Sequence, residues 1–183
     1  MTFVNSINSG KNTPDIINVI IEIPKGNNIK YEIDVESGLL FANRKLPSSM
    51  IYPCNYGFIP RTRESNGDPV DVFILGDDPL LPMSVIEVNP IGILLTEDQD
   101  GKDSKIIAKP VEKVDATYCM LTDLTDIPPT ILNTLEHFVL HHKDLEKDKY
   151  VKIERWDNKT LAKTIISEAI NRYDIFMKTH NKI

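Results

Sequence analysis

Cysteine is nearly absent from this chain. Cys54 and Cys119 are the only two in 183 residues and lie far apart, which excludes a disulfide framework or a cysteine-rich metal site and leaves two reduced thiols as the expectation. Glycine is scarce, at eight residues, and no repeat or low-complexity tract occurs, so a fibre or a disordered chain is excluded. No hydrophobic run approaches the roughly 20 residues that span a membrane, and residues 1–16 hold no basic segment followed by an apolar one. A soluble, unexported, cytoplasmic protein is expected. Positive charge is outnumbered: 21 Lys and Arg face 27 Asp and Glu, for a net −6, which disfavours nucleic acid and anionic membrane as partners because either would be repelled. There is no glycine-rich phosphate loop, no dinucleotide fingerprint and no serine or cysteine in a nucleophile setting, so covalent catalysis has no support.

What remains is 41% hydrophobic and 26% charged, enough to bury one good-sized core, and a single domain over residues 1–183 is expected. A polar arm runs to about Asp15 and reads as a mobile or subunit-contacting tail. Strands then dominate. Residues 17–23 are apolar, and residues 29–35 alternate Ile29, Tyr31, Ile33 and Val35 with Lys30, Glu32 and Asp34, the period of a half-buried strand. Ser37-Gly38 turns the chain into a strand at 39–46, and further strands are expected at 72–75, at 84–96 with a bend at Pro90, and at 105–111. The period changes after Asp126. Pro128 and Pro129 suit a first helical turn, and Ile131, Leu135, Phe138, Val139 and Leu145 recur at helical spacing. Asn158 is a good N-cap for a second helix, with Leu161, Ile165, Ile166, Ala169, Ile170 and Tyr173 on its buried face. Strands first and helices last predict an α+β fold, most simply a small closed β-barrel with the C-terminal helices packed outside it.

The densest chemistry lies in Asn66-Gly67-Asp68-Pro69-Val70-Asp71, followed by Asp98 and by Asp103-Ser104-Lys105. Gly67 and Pro69 hold a tight turn on which the side chains of 66, 68 and 71 can converge, and oxygen donors of this kind suit Mg²⁺, Mn²⁺ or Ca²⁺. An ordinary solvated turn explains the hexapeptide alone equally well. Lys30 and Glu32, two apart on a strand, point to one face; on the pattern alone a surface ion pair is the better explanation, and a charged ligand is the alternative. Tyr52-Pro53-Cys54-Asn55-Tyr56-Gly57-Phe58 is rich in aromatics that either pack or offer hydroxyls to a phosphate. His137 and His141 share a helix face without the partners of a zinc site. His142, at the edge of the apolar stripe beside Lys143, suits packing or a phosphate contact.

Taken in order, these residues resemble the family I soluble inorganic pyrophosphatases, particularly the bacterial type. The resemblance starts at Ile21-Glu22-Ile23-Pro24 and continues through Lys30-Tyr31-Glu32, Arg44 and the segment from Tyr52 to Gly57. It passes the acidic hexapeptide and reaches Asp98, Asp103, Lys105 and His141-His142-Lys143-Asp144-Leu145-Glu146. It implies a five-stranded OB-like barrel flanked by helices, hydrolysis of inorganic diphosphate to two phosphates, several Mg²⁺ ions per site with Mn²⁺ as an alternative, and a homohexamer. It puts Asp71, Asp98 and Asp103 on the metals, with Glu22 and Glu32 holding others mostly through water, and it matches Asp68 to the general base. Lys30, Arg44, Lys105, Lys143 and the hydroxyls of Tyr52 and Tyr56 match the groups that bind the two phosphoryl units. Two positions depart from the family pattern. Asn66 stands where an aspartate ligates metal, and its amide oxygen lacks the charge that strengthens such a bond. His142 stands where the bacterial enzymes commonly have tyrosine; it is expected to donate to phosphate with a charge that varies near neutral pH. Asn66 leaves a weakly active or inactive relative open beside the enzyme. An oligonucleotide-binding barrel would need surface aromatics and a basic groove, which the net charge and inward carboxylates count against.

Overall fold

The structure, a computed structural model, describes residues 3–34 and 37–180. Val35, the last residue of the expected alternation, lies outside the described residues. A short helix α1 (Phe3–Ser6) precedes β1 (Ile17–Ile23) and a hairpin of β2 (Ile29–Ile33) and β3 (Leu40–Lys45). Next come β4 (Asn55–Phe58), β5 (Asp71–Ile74), the long β6 (Val85–Asp98), a two-residue β7 (Gly101–Lys102) and β8 (Lys105–Pro110). A single 3₁₀ turn at Leu124–Asp126 leads to α2 (Pro129–His141), β9 (Val151–Asn158) and α3 (Lys159–His180).

Five strands close on themselves. β1 pairs with β4, β4 with β5, β5 with β8, β8 with β6, and β6 returns to β1, which makes the OB-like barrel expected from the resemblance. Closure depends on β6, whose first residues pair with β1 while Gly92–Asp98 pair with β9 on the outside. A bulge between Pro90 and Gly92 against β8 bends the strand where proline removes a ladder donor. At Gly57 the backbones of β4 and β1 come so close that a Cβ would stand 2.0 Å from Ile20 O.

Both faces of β5 and β8 are covered, so they read as continuous apolar runs instead of alternating ones. Val72, Ile74, Ile106 and Ala108 pack with Ala162, Ile166 and Ala169 of α3, whereas Phe73 and Ile107 pack with Leu135, Phe138 and Val139 of α2. Each such fully buried Ile, Val or Phe contributes about 1.5–3 kcal/mol relative to exposure. Asn158 caps α3 as expected: its Oδ1 accepts from Thr160 N at 2.9 Å and from Leu161 N at 3.2 Å. Among the described residues no helix is long and apolar enough to cross a membrane.

Three expectations need correction. The N-terminal arm is tied down within its described part: Val4 of α1 packs against Ile20, Ile33 and Phe58, and Ser9 Oγ donates to Pro60 O at 2.7 Å. Leu145 does not extend the stripe of α2, which ends at His141; it is 67% exposed. The segment before Asn158, left without a strand, forms β9, because Val151, Ile153 and Trp156 reach the α2 cluster while the residues between them face outward.

Candidate active site

A cleft of about 410 Å³ opens where β2 and β3 face the mouth of the barrel and the turn that follows α2. The parallel pairing of β5 with β8 sets its centre. Asp71 and Lys105 are register partners at the starts of these strands, and Lys105 Nζ lies 2.5 Å from Asp71 Oδ2 and 2.6 Å from Asp103 Oδ1. Burial opposes charge on Lys105, but Asp71 and Asp103 outweigh it and hold the ammonium protonated beyond the usual lysine range. The Tyr56 hydroxyl donates to Asp71 Oδ2 from the neighbouring strand β4.

Around this centre the other charges stand in pairs. Lys143 Nζ reaches Asp98 Oδ2 at 2.8 Å, Lys30 Nζ reaches Glu32 Oε1 at 2.6 Å, and Arg44 Nε donates to Glu146 Oε1 at 3.0 Å. Lys30 and Glu32 therefore share one face, and that face lines the cleft. Burial works against ionisation of Asp98, yet the Lys143 hydrogen bond and the Asp100 amide outweigh it and hold its carboxyl below the usual range. Asp68 goes the other way: burial, then repulsion from Asp71 and Asp103, raises its proton affinity. Asp103 is raised too, by burial. In the turn, Asn66 Oδ1 accepts from Asp68 N at 3.0 Å, so the amide shapes the loop that carries Asp68.

Six carboxylates (Glu32, Asp68, Asp71, Asp98, Asp100 and Asp103) and five cations (Lys30, Arg44, Lys105, Lys143 and Lys149) line the cleft. A polyanion that claimed the cations would leave the carboxylates facing it, so its binding calls for added positive charge. The donors fit hard divalent ions, being oxygens with no cysteine among them. Among the described residues no three of these side chains are already gathered around one point; the cation shared by Asp71 and Asp103 is the Lys105 ammonium.

The family model for inorganic pyrophosphatase matches residues 19–174. The chain belongs to the inorganic pyrophosphatase family. An inorganic pyrophosphatase from Sulfolobus acidocaldarius is 49% identical over 166 residues, covering 91% of this chain and 96% of that protein. One from Agrobacterium fabrum is 47% identical over 171 residues, covering 93% and 97%. The structure of the inorganic pyrophosphatase of Helicobacter pylori superimposes with a TM-score of 0.89 at 40% identity over 92% of this chain and 99% of that one. That of Thermus thermophilus gives 0.90 at 36% identity over 93% and 98%.

The cleft gathers every expected site residue except Glu22. Glu22 is not among the lining side chains; its Oε1 accepts from Ile33 N at 2.9 Å and burial pushes its carboxyl up to about 8. Four polar lining residues were not expected: Asn43, Gln99, Asp100 and Lys149. Asp100 stood in plain view two residues after Asp98, whereas Asn43 matters only because its Nδ2 donates to Glu32 Oε2 across the hairpin, at 2.5 Å. Glu64 was also missed; buried behind the acidic loop, it accepts from Ser104 N at 3.3 Å and is pushed up to about 7 by burial first and Asp103 second.

His142 needs a correction. Its ring stacks on Phe138 with Nδ1 at 3.1 Å from Phe138 O and 3.0 Å from Val139 O. Carbonyls only accept, so Nδ1 carries the proton and Nε2 is left as an acceptor that cannot donate to phosphate. Burial, then the Lys143 charge, lowers its pKa from 6.5 to about 4, so it is neutral at neutral pH. The folded state binds this proton less tightly than the unfolded one; the group's contribution to stability is therefore complete above about pH 6.5 and is lost as pH falls through about 4. Nitrogen-resolved NMR of the His142 ring is expected to show the Nδ1–H tautomer unchanged from pH 8 to 5.5. A titration centred near 6.5 would remove this assignment.

Proposed function

We propose that the chain, acting as one domain, hydrolyses inorganic diphosphate to two orthophosphates in this cleft, with Asp68 as the general base and Mg²⁺ as the metal. The observation that carries the reading is the alternation of paired cations and carboxylates around Asp68, in a chain whose named relatives are inorganic pyrophosphatases. Asp71, Asp98 and Asp103 would hold the divalent ions, Mg²⁺ or in its place Mn²⁺, with Asn66, Glu32 and the more remote Glu22 supporting them. Once bound, such ions cancel charge on the phosphate oxygens and lower the proton affinity of water.

The chain's own groups do the rest. Asp68 has a raised proton affinity, which suits a carboxylate that takes a proton from the attacking water. Lys30, Arg44 and Lys143 face the cleft on the sides of the hairpin and the turn after α2, so they hold the two phosphoryl groups in line and neutralise charge on the departing one. Lys105 is locked between two carboxylates, which keeps it charged and aimed into the cleft. The hydroxyls of Tyr52 and Tyr56 stay protonated, because burial pushes both above the usual phenol range, and so remain donors. His142 serves as packing and as an acceptor. The protein works in the cytoplasm as a homohexamer, for which exposed apolar side chains such as Leu81 and Met120 offer contact surface.

Phosphate release is expected to require the divalent ion and to favour diphosphate over nucleoside triphosphates, since the cleft is compact and no base-recognition motif is present. Asp68→Asn should lower kcat by about a hundredfold or more while KM changes little, because it removes the proton acceptor and leaves the cationic clamp. Steady-state assays of both proteins decide; near-normal turnover in the variant moves the base elsewhere. Asn66→Asp should shift the half-saturating Mg²⁺ concentration downward by roughly tenfold, equivalent to about 1.4 kcal/mol, and the gain should shrink at saturating Mg²⁺. Superimposable Mg²⁺ titrations would show that position 66 is not a ligand. Light scattering should give a mass well above the 20.8 kDa of one chain, and a monomer at every concentration would exclude the hexamer.

A further inference from the structure

Arg63 is not part of the cleft lining, and nothing in the reaction above uses it. Its contacts nevertheless join the far end of α3 to the acidic loop. The guanidinium lies over the Phe176 ring, with Cζ 4.2 Å from the centroid, and Nη1 donates to Gly67 O at 2.9 Å. The main chain of Arg63 is bound to the same helix: its N donates to Ala169 O at 3.0 Å, and its O accepts from Arg172 Nε at 2.9 Å. α3 thus grips Arg63 at three points, and Arg63 grips the carbonyl that immediately precedes Asp68.

The peptide on the other side of Asp68 is tied as well, since Glu64 N donates to Asp68 O at 2.7 Å. Gly67 is part of the device. Its φ of +102° suits glycine alone, and a Cβ there would stand 3.0 Å from Arg63 Nη2, so the guanidinium packs against the bare backbone. Asp68 sits in a loop between β4 and β5, outside any strand ladder, so these bonds, with the Asn66 contacts to Asp68 N at 3.0 Å and Oδ2 at 3.4 Å, hold the backbone that carries its carboxylate. Proton transfer needs a separation of about 2.6–3.2 Å, and a misplacement of about 1 Å can cost on the order of a hundredfold in rate.

We propose that Arg63 is a positioning residue: held by α3, it fixes the peptide before Asp68 and thereby aims the carboxylate that takes the proton from water. The inference rests on the assignment of Asp68 as the general base. It gives α3 a second task beyond covering the barrel, because the helix that buries Ala162 and Ile166 also holds the loop through its last turns.

The test compares Arg63→Met, Arg63→Lys, Phe176→Leu and Asp68→Asn in the full chain with Mg²⁺ and diphosphate. It reads kcat, KM, thermal midpoint and amide hydrogen exchange of residues 64–70. Arg63→Met should lower kcat by on the order of tenfold with KM within about threefold, and should speed exchange of the loop amides while those of β5 stay protected. Arg63→Lys, which keeps a cation for the ring and a donor for Gly67 O, should recover part of both losses. Unchanged kcat in Arg63→Met overturns the proposal, and so does a loss of kcat without faster loop exchange. If Arg63→Met proves too unstable to assay, Phe176→Leu decides, with a smaller effect of the same split expected and no effect overturning the idea. Near-normal turnover in Asp68→Asn sinks the base assignment and with it the aiming role. Loss of turnover in Asp68→Asn beside an unaffected Arg63→Met sinks the positioning role alone.

Discussion

The pairing of β5 with β8 is the constraint on which the cleft depends. It is the parallel contact in an otherwise antiparallel ring, and its register sets Asp71 beside Lys105 at the edge of the barrel. Both strands are buried on both faces, so neither can slip by a residue without carrying apolar side chains out of their clusters. The ion pair of Asp71 and Lys105 therefore inherits its geometry from the core. A surface pair of the same residues would be mobile and worth less than about 1 kcal/mol. Held here by buried backbone, it fixes the direction in which three charged side chains point.

The remaining charges follow from balance. A cleft with nearly equal numbers of carboxylates and cations, most of them in ion pairs, is unsuited to bind a polyanion unless further positive charge arrives with it. That coupling accounts for carboxylates and cations being interleaved around the cleft instead of occupying separate walls. The groups are tuned accordingly: Asp98, beside Lys143, is held ionised, whereas Asp68, partly buried and facing Asp71 and Asp103, holds a proton more readily. Two aspartates of one cleft acquire different chemistry from their burial and their charged neighbours.

Local pattern carried much of the fold. The apolar strand at 17–23, the alternation after Ile29, the bend at Pro90 and the cap at Asn158 all obey rules that act over a few residues, and each element formed where those rules place it. The pattern was weaker where partners lay far away. β4 hides in an aromatic segment because its residues are buried on both sides, and β9 alternates for a stretch but is exposed along much of its length, so neither shows a clean period. Leu145 kept the helical spacing after the helix itself had ended at His141.

Oxygen donors beside turn residues, the absence of cysteine ligands and nucleophile motifs, and the ordered agreement with a family were all determined by the sequence. Whether Lys30 and Glu32 formed a surface pair or faced a site was decided only by tertiary structure, because a strand's period reports which residues share a face and not what that face meets. The same holds for His142, whose charge depends on burial and on a neighbouring lysine brought close by folding, and for Glu22, whose carboxyl is held by Ile33 N of the hairpin, outside the cleft lining. Arg63 shows the limit most clearly. Nothing local distinguishes it from any surface arginine, and its partners stand about a hundred residues further along the chain, brought to it only when α3 closes over the barrel.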